Sequence, residues 1–135
     1  MRESVYSATR GVLGLASGTI STDTATNGAT VDLETGGSNH FRSVKWTVVS
    51  GTVTDGEYVL SVQDSDNGTD WAAADAQYVH GGGTFVAADD NAVKEIGYNG
   101  PKRFARVVLT STDVETGGSF SAVANLGGAS TPVVR

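Results

Sequence analysis

The hydrophobic and polar residues of this chain alternate in short runs of period two. In FRSVKWTVVS, Val44, Trp46 and Val48 fall on one face, with Ser43, Lys45 and Thr47 on the other. A half-buried β-strand has this pattern, because successive side chains point to opposite sides of a pleated chain. EYVLSVQD repeats it, with Tyr58, Leu60 and Val62 set against Glu57, Ser61 and Gln63. SFSAVANLG places Phe120, Ala122, Ala124 and Leu126 on one side. RFARVVLTST is apolar on much of both faces, so a strand over this stretch should be central or covered by a partner. Weaker strands are predicted at 29–33, 77–80, 84–87 and 93–97. Turn-forming pairs punctuate these runs, among them Asn27-Gly28, Asp55-Gly56, Asn67-Gly68, Asn99-Gly100 and Gly117-Gly118. Each supplies residues that tolerate positive φ or form Asx turns. About eight short strands at this spacing predict an all-β fold, an antiparallel β-sandwich of two packed sheets, with a jelly roll as one form open to it.

The ends read differently. Residues 1–17 show no strong period, and 128–135 end in Pro-Val-Val-Arg. The division is a flexible N-terminal arm at 1–17, a sandwich domain at 18–127 and a C-terminal tail at 128–135. The N-terminus lacks the three-part pattern of a secretory signal: Gly11 and Gly14 break its apolar stretch, and Glu3 and Arg10 are misplaced for it.

Composition sharpens the picture. Val and Thr are abundant and suit a pleated surface. At 135 residues the chain can bury roughly 65–70% of its unfolded surface. With no Cys, neither a disulfide nor a thiolate metal site is available. A net charge of −6 argues against nucleic acid as partner. No apolar run approaches membrane-spanning length, so no membrane partner is expected.

Candidate chemistry concentrates in DSDNGTDW, residues 64–71. As a calcium loop it fails on spacing: counted from Asp64, the Gly comes one place early and Asp75 stands where a bidentate Glu belongs. As a glycosidase acid pair it lacks a cleft, since a polar turn leaves its acids in water. A hairpin tip fits, with Gly68 at positive φ, Asp side chains accepting turn N–H groups and Trp71 closing the return. The stretch resembles the Asp-box, a structural hairpin motif, with Asp66, Gly68 and Trp71 in matching places. His40 and His80 lie in no metal-ligand spacing. No Gly-x-Ser-x-Gly occurs, and Gly81-Gly82-Gly83 is no phosphate loop. The chain therefore offers no metal, no cofactor and no catalytic set, and is expected not to be an enzyme. Lys102, Arg103 and Arg106 form the dense basic cluster, although Arg103 and Arg106 would point to opposite faces of an ideal strand.

Two segments carry a resemblance: EYVLSVQDSDNGTDW at 57–71 and EIGYNGPKRFARVVLTST at 95–112. They resemble small β-sandwich virion proteins of tailed bacteriophages, encoded near the major capsid protein. The matching positions are Val62 to Asp66, Gly68, Trp71, Gly97, Tyr98, Gly100, Lys102, Arg103 and Arg106. Phe104 replaces the usual Tyr, and the N-terminal third is unmatched. The resemblance implies a capsid decoration (cement) protein on the outer surface of the virion, with the major capsid protein as partner. It also implies a closed cyclic homo-oligomer, a trimer placed ahead of a dimer. Shell contacts are expected from Val5, Tyr6 and Leu13 in the N-terminal arm, then from Arg103 and Arg106. The alternatives are a neck or tail structural protein, or a carbohydrate-binding module stacking sugars on Trp71, Tyr78 and Tyr98.

Overall fold

The computed structural model describes residues 4–34 and 41–128. One helical turn, α1 (Val5–Ala8), leads into eleven strands: β1 (Arg10–Ile20), β2 (Ala25–Asn27), β3 (Val31–Asp32), β4 (Ser43–Val53), β5 (Glu57–Ser65), β6 (Ala72–Ala73), β7 (Val79–Gly81), β8 (Thr84–Phe85), β9 (Val93–Tyr98), β10 (Phe104–Thr112) and β11 (Gly118–Gly127). Every pairing is antiparallel. One sheet runs β1-β11-β4-β9-β7, and the other runs β2-β10-β5-β6, with β3 also on β10 and β8 also on β5. With β2 and β3 taken as one interrupted strand, β6 and β8 as another, and β7 as an addition at the edge of the first sheet, this is the strand order of a jelly roll, two interleaved Greek keys. The fold is the expected all-β antiparallel sandwich.

The core lies between the sheets and follows the alternation. Val44, Trp46 and Val48 of β4, Tyr58, Leu60 and Val62 of β5, Ala105, Val107 and Leu109 of β10, and Phe120, Ala122, Ala124 and Leu126 of β11 are all buried. Tyr58, Phe85 and Phe120 stack at one end, with centroids 4.6 and 5.2 Å apart. Such tilted ring pairs add to the stabilisation from burial. Strand β10 pairs with β2 and β3 on one side and β5 on the other, so it is central, as its two apolar faces suggest. The expected strand at 29–33 is shortened to Val31–Asp32 and that at 84–87 to Thr84–Phe85.

The N-terminal arm needs correction. Residues 10–17 are sheet, not arm: β1 pairs with β11 from Arg10↔Leu126 to Ile20↔Gly118. Its period is hidden by register shifts between Leu13 and Leu15 and between Leu15 and Gly18. Bulges insert residues and break the alternation. Gly14 sits in the first irregularity because nothing larger fits: a Cβ there would stand 2.7 Å from Cδ1 of the buried Trp46 and 3.2 Å from the Ala124 nitrogen. Residues 129–135 of the expected C-terminal tail lie outside the described residues, as does His40.

Candidate interaction surfaces

The DSDNGTDW turn is a hairpin joining β5 to β6, but its hydrogen bonds differ from those expected. Ser65 Oγ accepts from the backbone N–H groups of Asn67 (3.2 Å) and Gly68 (2.9 Å). Asn67 Oδ1 accepts from the N–H groups of Thr69 and Asp70, both at 2.9 Å. Ser65 and Asn67 thus satisfy the turn in place of the aspartates. Gly68 holds φ +78°, the left-handed conformation that favours glycine. Asp66 turns outward to Lys102 Nζ at 3.3 Å. Asp70 accepts from Asn67 Nδ2 at 2.8 Å.

Asp64 is not in a wet turn. It is 6% exposed and accepts a 2.8 Å hydrogen bond from the Tyr98 hydroxyl. This bond joins β5 of one sheet to β9 of the other. Burial, then the Asp64 hydrogen bond, pushes the Tyr98 phenol far above its ordinary range. Tyr98 is buried and therefore cannot stack a sugar, which corrects one member of the expected carbohydrate platform. Trp71 is half-buried, with one ring face occupied by the Arg106 guanidinium, 4.3 Å from its centroid.

The two arginines reach to opposite flanks of β10, Arg103 to Asp32 of β3 and Arg106 to Gln63 of β5. Because β10 begins at Phe104, Arg103 precedes the strand and is free to swing over it. Its guanidinium lies 5.0 Å from the Phe104 centroid, makes two 2.9 Å hydrogen bonds to Asp32 and pairs with Glu34 at 2.9 Å. The Arg103 hydrogen bond holds the Asp32 carboxyl below its usual range. Arg106 donates to Gln63 Oε1 at 2.9 and 2.7 Å. These groups form a layered patch at the hairpin end of the second sheet, in which most of the positive charge is met by the chain's own acids.

The outer face of the first sheet carries a continuous apolar strip, whereas on the second sheet Val59 is exposed singly. Val5 and Tyr6 on α1 are largely exposed, as is Leu13 on the outer face of β1. Register places Leu13 beside Val123, Val123 beside Thr47, and Val49 between Ser121 and Val93. Leu13 (58% exposed), Val123 (51%), Val49 (40%) and Val93 (58%) therefore line up diagonally across β1, β11, β4 and β9. Next to them runs a 680 Å³ groove lined by Val5, Lys45, His80, Glu95, Gly97 and Asn125. Lys45 and Glu95 form a 2.5 Å ion pair there, and His80 Nε2 lies 3.1 Å from Asn99 Oδ1. The Lys45 hydrogen bond lowers the Glu95 carboxyl below its usual range. Leu13 was expected from the sequence, whereas Val49, Val93 and Val123 were not, since their strands meet only through long-range pairing. Among the described residues no three His, Asp or Glu side chains converge as metal ligands.

No protein-family model matches the chain, and no curated protein does. Among solved structures, the crystal structure of PBSX exported protein XepA shares the fold, with a TM-score of 0.62 at 15% identity. The match covers 100% of this chain and 42% of that one, so this chain spans less than half the length of its structural neighbour.

Proposed function

We propose that this chain is a non-enzymatic structural protein of a bacteriophage virion that decorates the outer surface of the mature capsid shell. The observation that carries the proposal is the fold: the whole chain follows part of XepA, a phage-related exported protein. The virion-protein resemblance of 57–71 and 95–112 supports the same reading, and those segments form the hairpin and the patch around Arg106. The stability that such a protein confers comes from mass action, since binding the assembled shell and not its dissociated parts favours the assembled state.

Val5 and Tyr6 are the first candidates for shell contact. They stand on one helical turn at the head of β1, where apolar side chains this exposed gain most from being covered. Arg106 is the second candidate, because it faces a neutral Gln63 and an indole where Arg103 faces two acids. The test is co-sedimentation of the purified chain with mature heads of the parent phage, using a Val5→Asp/Tyr6→Asp double variant. Saturable binding lost in the variant, with the same thermal unfolding, supports the proposal. Failure of the unaltered chain to bind heads, with binding to tails or necks instead, overturns it. Removing residues 1–15 would not serve as a test, because that cut takes half of β1 from the sheet.

A further inference from the structure

We propose that the outer face of the β1-β11-β4-β9 sheet is a self-association surface, on which a second copy of this chain packs face to face about a twofold axis. Three observations lead there. The first is the diagonal of Leu13, Val123, Val49 and Val93. These side chains cross four adjacent strands without interruption, Leu13–Val123 and Val49–Val93 as direct cross-strand pairs and Val123–Val49 as diagonal neighbours. Such pairs lie within side-chain reach and present one apolar strip. Sheets bury a strip of this kind by packing on another sheet about 10 Å away.

The second observation is where the charge is not. The chain carries −6, yet along the outward rows of these strands the charged residues are Lys45 and Glu95, which cancel. Ser119, Ser121, Thr47 and Asn125 fill most of the remainder. Two acidic copies repel least where this neutral face meets itself, because their aspartate-rich turns then stay in solvent.

The third observation concerns symmetry. A twofold axis crossing the middle of the diagonal sets Leu13 against the second copy's Val93 and Val123 against the second copy's Val49, and each contact recurs in reverse. The same operation gathers Lys45 and Glu95 of both copies into one cluster astride the axis, each Lys45 beside the second copy's Glu95 and its Lys45. An isologous interface requires such self-complementarity, with residue i meeting j and j meeting i. The arrangement assigns Leu13 to self-contact and leaves Val5 and Tyr6 to the shell. It also favours a dimer over the trimer implied by the virion-protein resemblance.

Sedimentation velocity over a wide range of protein concentration tests the assignment without any shell present. The chain should pass reversibly from its 13.8 kDa monomer to a species of twice that mass. Val123→Asp should leave it monomeric. Lys45→Glu and Glu95→Lys should each raise the dimer dissociation constant about tenfold or more, because each turns the balanced cluster at the axis into four like charges. The double exchange should restore dimerisation. All three residues are exposed, so unchanged circular dichroism confirms that folding is not the cause. A chain that is monomeric throughout, a trimer or larger ring, or a dimer indifferent to these substitutions overturns the proposal. If the monomer binds shells and loses that binding in Val123→Asp, the face belongs to the shell, and a second copy is refuted as its occupant.

Discussion

Tyr98→Phe removes one oxygen and keeps the ring, and it should destabilise the protein well beyond what a surface change would do. The hydroxyl donates to Asp64 across the two sheets and accepts from the Lys102 N–H at 3.3 Å. A hydrogen bond to a charged group contributes about 1.5–3 kcal/mol, and losing it leaves a 6%-exposed carboxyl without this donor. We expect a loss of about 2 kcal/mol, or roughly 6–10 °C in melting temperature for a domain of this length. A double-mutant cycle with Asp64→Ala should give a coupling energy of about 1–2 kcal/mol. The pH dependence adds a second signature. The folded-state pKa of Tyr98 lies above the unfolded value of 10.0, so its stabilisation is complete below pH 10 and is lost as pH rises beyond it. The advantage of the unaltered protein over Tyr98→Phe should therefore shrink above pH 10, by up to about 1.4 kcal/mol per pH unit. Tyr58, also raised, contributes in both proteins and cancels from the comparison. Chemical denaturation from pH 7 to 11 measures both effects. A Tyr98→Phe protein within about 0.5 kcal/mol of the parent at pH 7, or a difference that does not change above pH 10, would refute the reasoning.

Three further substitutions probe other parts of the fold. Gly14→Ala places a methyl group against the rigid Trp46 indole and should lower stability by about 1–3 kcal/mol in urea titrations, despite reducing backbone freedom in the unfolded chain. Asp55 accepts hydrogen bonds from the Glu115, Thr116 and Gly117 N–H groups and has a lowered pKa, with the Thr116 bond its largest cause. Asp55→Asn should lower the melting temperature at pH 7, and the gap should close as pH falls below about 4, where the parent carboxyl also becomes protonated. Arg106→Ala uncovers Trp71 and should cost about 0.5–1 kcal/mol, with a red shift in tryptophan fluorescence from a more solvated indole.

The strands with clean alternation could be read from the sequence because one period of two identifies both the element and its buried face. That applies to β4, β5, β10 and β11, which build most of the core. Strand β1 escaped because its bulges move Val12, Leu15 and Ile20 out of any single period, and because Gly11 and Gly14 read as breaks. The acidic turn was recognised as a hairpin, yet its parts were misassigned. Ser65 and Asn67 do what the aspartates were expected to do, and Asp64 is drawn inward by Tyr98, a residue 34 positions away in the chain. Long-range pairing also hid the apolar diagonal. Lys45 and Thr47 marked the outer side of β4 as polar, and only the register with β9 and β11 shows Val49 continuing a strip from Leu13 to Val93. Likewise Arg103 reaches Asp32 and Glu34 from a position one residue before β10, where strand parity does not fix its direction as it does that of Arg106.

The most direct measurement on the central proposal is binding of the purified chain to mature heads of the parent phage, counted by quantitative co-sedimentation. Decoration predicts saturation at a fixed number of copies per head, greater resistance of the loaded heads to heat, and loss of both effects with Val5→Asp/Tyr6→Asp. Heads that bind no protein at saturating concentration and melt unchanged in its presence would contradict the account.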